Sequence, residues 1–432
     1  VSTSADLSSP VQTLEPSTSF FKWKVTGLTN GTTYYYGITG TGVDVRATHF
    51  SLAHRVPLGA PVGKATTPAV GSHSFSFAFA SCAFTGYEHV VFEEIAALDA
   101  NFFIHMGDIH YEDIAVNSEE LRNQSFKDVF ASETQSAMFR ERPTVYMWDD
   151  HDFGDNNALG TFPGKPAAQA AYKTFVPHYP LETSLPDGPL YQAFDIGRVR
   201  FLLTDLRFVV MGGALTQHAP NTRTLPRSDS SLVGAENSTM GATQREWLLS
   251  EIAQWQSHRL VVWVSTKPWQ GTLDVGSDKW RGYVEERELI ANRIAAMSPV
   301  PDNLVMISGD AHLLGADDGS HTDYSTNGGA GFPLFQAAPM VQYGSAKGTG
   351  PYVVGCTGYS LWIVHQYATM DIVDDGVNPV SFTWKGYEAE AGEVFSLELT
   401  VPLMKTGSPG GEPCTLPLVP GFMWGTVALQ VL

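Results

Sequence analysis

The chain has 432 residues, of which 43% are hydrophobic and 16% charged, so it is a globular protein with a large core and not a disordered one. Its formal net charge of −19 repels nucleic-acid phosphates, which argues against a nucleic-acid-binding role. No apolar run reaches the roughly 18 residues of a membrane helix, so no transmembrane segment is expected. The sequence gives no oligomeric state.

The first 70 residues differ in pattern from the rest of the chain. Residues 20–40 alternate apolar and polar residues around a Thr-Asn-Gly turn, which predicts an aromatic-rich β-hairpin. Residues 57–72 are rich in Pro, Gly and Ala and predict a linker. We therefore place a partial, fibronectin-like β-sandwich and its linker in residues 1–70, and a second domain in residues 71–432.

Short apolar runs then alternate with helical patterns, which predicts an α/β domain with mainly parallel strands. The predicted strands are 75–80, 101–106, 144–148, 200–204, 260–265 and 303–308. Helices are predicted at 87–100 and at 243–256, the second with Thr243 as a possible N-cap. In that helix Trp247, Leu248, Ile252 and Trp255 share one face, which indicates core packing. Residues 211–242 read as a long loop, and further strands are predicted after about residue 350.

Polar side chains follow all six predicted strands. The segments concerned are 81–82, 107–112, 149–152, 205–207, 266–269 and 309–312. A single Asp or His in such a place usually caps a turn, but carboxyl ends of parallel strands share one sheet edge, where α/β folds place their active sites. We therefore expect these side chains to converge.

Three carboxylates are crowded into four positions, at Asp149, Asp150 and Asp152. Such a cluster repels itself unless a cation is bound. Ligands rich in oxygen suit hard ions, so Fe(III), Mn, Ca or Mg are favoured over Zn. Cys82, considered alone, is a small buried hydrophobic residue, and Cys356 and Cys414 could pair.

Five motifs together resemble one known family. They are ASCAF at 80–84, HMGDIHYED at 105–113, MWDDHDFGDNN at 147–157, TDLR at 204–207 and SGDAH at 308–312. In this order they resemble the PhoD-like alkaline phosphatases of the calcineurin-type metallophosphoesterase superfamily. The resemblance implies a two-layer β-sandwich of mixed sheets flanked by helices (αββα). It also implies a centre of Fe(III) and Ca, with Mn, Zn and Mg as alternatives.

The resemblance also implies roles for individual residues. It makes Asp108 a bridge between metals, Cys82 and Tyr111 iron ligands, and Asp150 a ligand of the second metal. Asp310 and His312 would be further metal ligands, Asp152 would reach calcium only through water, and Asn157 either donates to calcium or makes a turn. His151 would contact the substrate or leaving group, and Arg207, oriented by Asp205, would contact phosphate. Lys267 either binds phosphate or is a solvated lysine.

Together these features predict a phosphoesterase that hydrolyses small phosphate mono- or diesters with a metal-activated water. Two alternatives stay open: a hydrolase of another ester class on the same scaffold, and a calcium-stabilised, non-catalytic extracellular binding protein. The sequons at Asn30, Asn123 and Asn237 suit a secreted, extracellular or periplasmic protein.

Overall fold

The structure, a computed structural model, describes residues 1–13, 22, 24–37, 62–158, 160–209, 238–271, 277–345, 350–355 and 362–403. The described helices are α1 (Val90–Ala97), α2 (Glu119–Ala131), α3 (Glu133–Glu141), α4 (Asp150–Phe153), α5 (Lys165–Phe175), α6 (Gly241–Ile252) and α7 (Val284–Ala295). The first strands are β1 (Thr33–Tyr36), β2 (Gly63–Thr66), β3 (Phe75–Ala80), β4 (Phe102–His105), β5 (Thr144–Tyr146), β6 (Gln192–Ile196), β7 (Val199–Leu203), β8 (Leu260–Ser265) and β9 (Leu304–Ser308). They are followed by β10 (Leu314–Asp317), β11 (Leu334–Ala337), β12 (Gln342–Tyr343), β13 (Val354–Gly355), β14 (Ile363–Val364), β15 (Gln366–Val373), β16 (Ser381–Glu388) and β17 (Gly392–Thr400).

The six predicted strands are divided between two sheets. In a six-stranded sheet of order β17-β16-β15-β3-β4-β5, strands β3, β4 and β5 are parallel. In a seven-stranded sheet of order β13-β10-β11-β9-β8-β7-β6, strands β7, β8, β9 and β11 are parallel. The other pairings in these two sheets are antiparallel, so both sheets are mixed. The expectation of a single shared sheet edge is therefore wrong, because the site-bearing strand ends come from two sheets.

The two sheets face each other across one hydrophobic core. Phe77 of β3 contacts Phe201 of β7 edge to face with ring centroids 5.4 Å apart, and Phe335 of β11 meets Phe382 of β16 at 5.9 Å. On the outer face of the seven-stranded sheet, apolar residues of α6 and α7 form a second core. On the outer face of the six-stranded sheet, α1 and α3 do the same. Two facing sheets with helices on both outer faces are the predicted αββα architecture.

The predicted helices are present with shifted ends. The first begins after His89, whose Nδ1 accepts a hydrogen bond from the backbone N–H of Val91. The second begins at Gly241, so Thr243 lies inside α6 and is not its N-cap. Leu248 of α6 is buried, as predicted for its apolar face. Among the described residues, no helix has the length and apolar character needed to cross a bilayer.

The N-terminal prediction is partly wrong. Strand β1 pairs with β2, which lies inside the predicted linker, and not with residues 24–29. The other edge of β1 bonds to Ser2 through reciprocal hydrogen bonds with Tyr35, both of 2.8 Å, so both edges are occupied. The boundary at residue 70 stays a prediction. Cys356, Cys414 and nearly all of the predicted loop 211–242 lie outside the described residues.

Candidate metal centre

The turns after β3, β4, β5 and β9 meet at one place. The N–H of Cys82 donates to the carbonyl of Gly107 at 3.1 Å, and the N–H of Asp310 donates to Ser81 Oγ at 3.1 Å. Gly107 has a φ of +99°, and a Cβ there would lie 2.4 Å from the Cβ of Asp149. Glycine is therefore required at position 107 for the turns after β4 and β5 to approach this closely.

Four of the converging residues have left-handed backbone conformations. Their φ values are 65° at Cys82, 56° at Asp108, 56° at Asp310 and 55° at His312. Non-glycine residues rarely adopt this region, and such strain concentrates at functional sites, where the surrounding structure enforces it. The fold therefore holds these side chains in a costly arrangement that aims them at one point.

The first group of possible ligands consists of Cys82, Asp108 and His312, whose donor atoms lie within 4.8 Å of one another. The Tyr111 hydroxyl lies 3.0 Å from Asp108 Oδ2 and 3.4 Å from His312 Nε2. His312 Nδ1 contacts the carbonyl of Tyr343 at 2.7 Å, which directs Nε2 toward the group. Cys82, Asp108 and Tyr111, which the resemblance places around the iron, therefore lie together with His312, which it makes a further metal ligand.

The second group consists of Asp108, Asp149, Asp150 and Asp310, whose donor atoms lie within 4.8 Å of one another. His151 forms a further group with Asp108 and Asp150 under the same limit. Asp108 belongs to both groups, as a bridging ligand would. Asp149 Oδ2 is buried without a hydrogen-bond partner. A buried, unpartnered oxygen on a carboxylate that belongs to such a group is a donor that fits a cation.

The electrostatics of these residues also fit bound cations. Burial and the charge of Asp150 raise the pKa of Asp108 well above its usual value. Burial raises the pKa of Asp149 to about 6, although Arg207 opposes this shift. Burial and the charge of Asp108 raise the pKa of the Tyr111 hydroxyl. A cation among these groups would reverse all three effects, because it stabilises carboxylate and phenolate.

Arg207 does not project into the centre as a free phosphate contact. Its buried guanidinium pairs with Asp149, with Asp150 at 3.2 Å and with Asp278 at 2.9 Å. Asp205 does not orient this guanidinium: Asp205 Oδ1 accepts the backbone N–H of Arg207 at 3.1 Å. In this structure Arg207 positions two candidate ligands.

The same network of ion pairs also reaches Asp310. Lys279 Nζ lies 2.9 Å from Asp278 Oδ2 and also pairs with Asp310. The chain Asp150–Arg207–Asp278–Lys279–Asp310 thus joins two candidate ligands through buried ion pairs. Burial opposes the charge on Lys279, but Asp278 and Asp310 raise its pKa above the ordinary value.

Asp152 is not placed as a ligand. Its Oδ2 accepts the N–H groups of Asp108 at 2.6 Å and Asp149 at 3.0 Å, and its Oδ1 accepts that of Ile109 at 2.7 Å. The carboxylate therefore fixes the backbone of two turns. Asn157 is exposed, and its backbone N–H donates to Asp150 Oδ2 at 2.6 Å. Its side chain as a calcium ligand stays a prediction.

His151 and Lys267 occupy different environments. His151 Nδ1 pairs with Asp113, and its ring lies 4.0 Å from that of Tyr111. Burial disfavours its charged form, but Asp108, Asp113 and Asp150 outweigh this and raise its pKa to about 10. Lys267 is completely buried, so it is not a solvated lysine. Its Nζ donates to Thr239 Oγ1 at 2.8 Å, and burial lowers its pKa to about 7.

Known proteins share a family pattern and a fold with this chain. The family model of the PhoD-like phosphatases matches residues 77–350. The chain belongs to the PhoD-like phosphatase family. It is similar to the solved structure of PhoD, with 20% identity, a TM-score of 0.54, and coverage of 82% of this chain and 76% of that chain. The structure of the purple acid phosphatase PPD1 from yellow lupin (Lupinus luteus) seeds matches at 11% identity, with a TM-score of 0.49 and coverage of 79% and 56%. No curated protein matches the chain by sequence.

This PhoD-like phosphatase contains site residues that sequence reasoning missed. Asp149 was noted only as part of a carboxylate cluster, although it lies in the second ligand group. Asp113 stands in a quoted motif and holds His151. Asp278 and Lys279 follow no predicted strand, and an adjacent acid and lysine have the same sequence pattern as a solvated ion pair.

Proposed function

We propose that this PhoD-like phosphatase hydrolyses small phosphate mono- or diesters with Fe(III) and Ca as its metal ions. The observation that carries the proposal is the two groups of buried donors that share Asp108. The thiol, phenol and imidazole of Cys82, Tyr111 and His312 suit iron, and the carboxylates of the second group suit calcium. Mn, Zn and Mg are the alternatives.

Such ions, when bound, supply Lewis acidity and lower the pKa of coordinated water. The residues of the chain do the rest. Arg207 and Lys279 hold the carboxylates in place, and Asp152 holds the turns that carry Asp108 and Asp149. His151 Nδ1 pairs with Asp113, an ion pair that favours the imidazolium form and leaves Nε2 to donate a proton to the leaving oxygen. Lys267 is buried and donates to Thr239 Oγ1, so it is proposed to support the centre and not to contact the phosphate.

We also propose that the protein works outside the cytoplasm, in a secreted or periplasmic setting. The sequons and the low lysine content of the sequence support this proposal. Fractionation of cells that express the full-length protein, followed by immunodetection, would test it: recovery in the cytoplasm alone would contradict it.

The test of the enzymatic function uses chelated protein reconstituted with each metal. Hydrolysis of a phosphate monoester, a phosphate diester, a sulfate ester and a lactone is measured in parallel. We expect phosphate ester hydrolysis that chelation abolishes and that Asp108→Asn abolishes without unfolding. The control Asp371→Asn, in a half-buried ion pair with Lys385, should leave it unchanged. Exclusive hydrolysis of the sulfate ester or lactone, or metal binding with no turnover, would overturn the proposal.

A further inference from the structure

Three aromatic side chains lie beside the Cys82–Asp108–His312 group. We name them the aromatic shelf: Phe84 and Tyr87, from the turn after β3, and Tyr343, from β12. The Phe84 ring centroid lies 5.5 Å from that of Tyr111 and 6.3 Å from those of both Tyr87 and Tyr343. Because the Tyr111 hydroxyl touches Asp108, one ring separates the shelf from the candidate metal ligands.

The shelf and the metal centre are fixed to each other by the backbone. The carbonyl of Tyr343 contacts His312 Nδ1 at 2.7 Å, and the N–H of Phe84 donates to the carbonyl of Val341 at 3.1 Å. The N–H of Tyr111 donates to Thr85 Oγ1 at 3.0 Å. The shelf therefore lies on the same turns that position the ligands, and its place relative to a bound phosphate is set by the fold.

The shelf is open to solvent although it borders buried charged residues. Tyr343 is 52% exposed and Tyr87 is 40% exposed. The edge-to-face contact of Phe84 with Tyr343, at an interplanar angle of 84°, fixes the ring orientation, so the surface is preorganised. An exposed apolar surface beside a polar site is characteristic of the part of a pocket that receives the non-reacting portion of a ligand.

We propose that the aromatic shelf binds the alcohol portion of the substrate and selects phosphate esters that carry a planar aromatic ring. This inference rests on the proposed phosphoester hydrolysis. Stacking on Tyr343 or Tyr87 requires no charge on that portion of the substrate, which suits a chain of net charge −19. The same net charge disfavours polyanions, so the substrate is a small aromatic ester and not a polynucleotide.

Stacking far from the reacting atoms stabilises the bound substrate and the transition state equally. Loss of the shelf should therefore raise KM and leave kcat nearly unchanged. Aromatic contacts of this kind correspond to roughly a 3- to 10-fold change in affinity. This split between KM and kcat separates a recognition surface from a residue that merely supports the fold.

The experiment compares 2-phenylethyl phosphate with 2-cyclohexylethyl phosphate. The two leaving alcohols differ little in acidity, but only the first has an aromatic ring. The metal-loaded protein is assayed as wild type, Tyr343→Ala, Tyr343→Phe and Tyr36→Ala. Tyr36 is a control of similar exposure, at 39%, in the N-terminal strand β1. Calorimetry with the two matching phosphonates measures binding to the aromatic shelf in the absence of turnover.

We expect wild type to prefer the phenyl ester by about 3- to 10-fold in kcat/KM, through KM. Tyr343→Ala should bring the ratio close to one, while Tyr343→Phe and Tyr36→Ala should preserve it. Equal use of both esters by wild type, or an unchanged ratio in Tyr343→Ala, would overturn the inference. If no phosphate ester is hydrolysed, the proposed function is wrong, but the phosphonate affinities still test the role of the aromatic shelf. Tighter binding of the phenyl phosphonate supports that role, and equal affinity overturns it.

Discussion

Replacing Lys279 with methionine tests whether the buried ion pairs neutralise the carboxylates of the metal centre. Lys279 Nζ lies 2.9 Å from Asp278 and pairs with Asp310, and its side chain is only 5% exposed. At 2.9 Å and an effective dielectric constant of 20, Coulomb attraction is about 6 kcal/mol before the cost of burial is subtracted. Removal of one partner of a buried pair costs about 3–5 kcal/mol in measured cases, because the other charge stays buried and unpaired.

A surface pair of the same length provides the control. Lys385 Nζ lies 2.8 Å from Asp371 Oδ2, with side chains 31% and 41% exposed. An exposed pair contributes about 0–1 kcal/mol because water screens it. Lys385→Met should therefore change the free energy of unfolding by less than about 1 kcal/mol, although its geometry is like that of Lys279.

The assay is urea unfolding of both variants in chelator and again with saturating cations. In chelator, Lys279→Met should lose about 3–5 kcal/mol relative to wild type. With cations the loss should shrink, since a cation would take over the charge of Asp310. A loss in Lys279→Met as small as that in Lys385→Met, or one that is equal with and without cations, would refute the reasoning.

Three further predictions follow from the same geometry. Asp152→Asn should lower kcat at least tenfold and destabilise the fold by about 1–3 kcal/mol, because the new amide presents a donor to backbone N–H groups. Steady-state kinetics and urea unfolding measure the two effects, and unchanged activity would contradict the prediction. Burial lowers the pKa of His105 in the folded protein to about 3, so this residue takes up a proton first in the unfolded chain. The free energy of unfolding therefore falls as the pH drops from 6.5 toward 3. His105→Phe should remove about 2 kcal/mol of the acid loss between pH 8 and pH 5, and an unchanged pH profile would refute this. Arg207→Lys should weaken metal retention during dialysis, because lysine lacks the fork that pairs with three carboxylates, whereas retention equal to wild type would oppose it.

The parts of the fold that depend on strand periodicity could be predicted from the sequence. Strands β3 and β8 are mostly apolar, and every residue in them is buried except the half-buried Ser76, so the sequence pattern predicts their bounds. The assignment of the six strands to two sheets could not be predicted this way, because a buried parallel strand has the same pattern in either sheet. The pairing of β1 with β2 was missed because a segment rich in Pro, Gly and Ala gives little strand signal.

The candidate metal centre, like the fold, could be predicted only in part from the sequence. The convergence of residues that follow buried strands, such as Cys82, Asp108 and Asp310, could be predicted from the strand ends, whereas their roles as ligands came from the family resemblance. The roles of Asp152 and Arg207 were not, because a carboxylate that accepts backbone N–H groups and one that binds a cation are identical in sequence. Lys279 was missed because burial of a lysine depends on long-range packing.

The most direct test of the central claim is the metal content of the purified protein, recorded together with its visible absorption spectrum. We expect bound metal that includes iron(III), a tyrosinate–iron band that Tyr111→Phe removes, and loss of metal in Asp108→Asn while both variants remain folded. A protein that stays free of metal after reconstitution and still hydrolyses phosphate esters would contradict the claim that these side chains gather to hold catalytic cations.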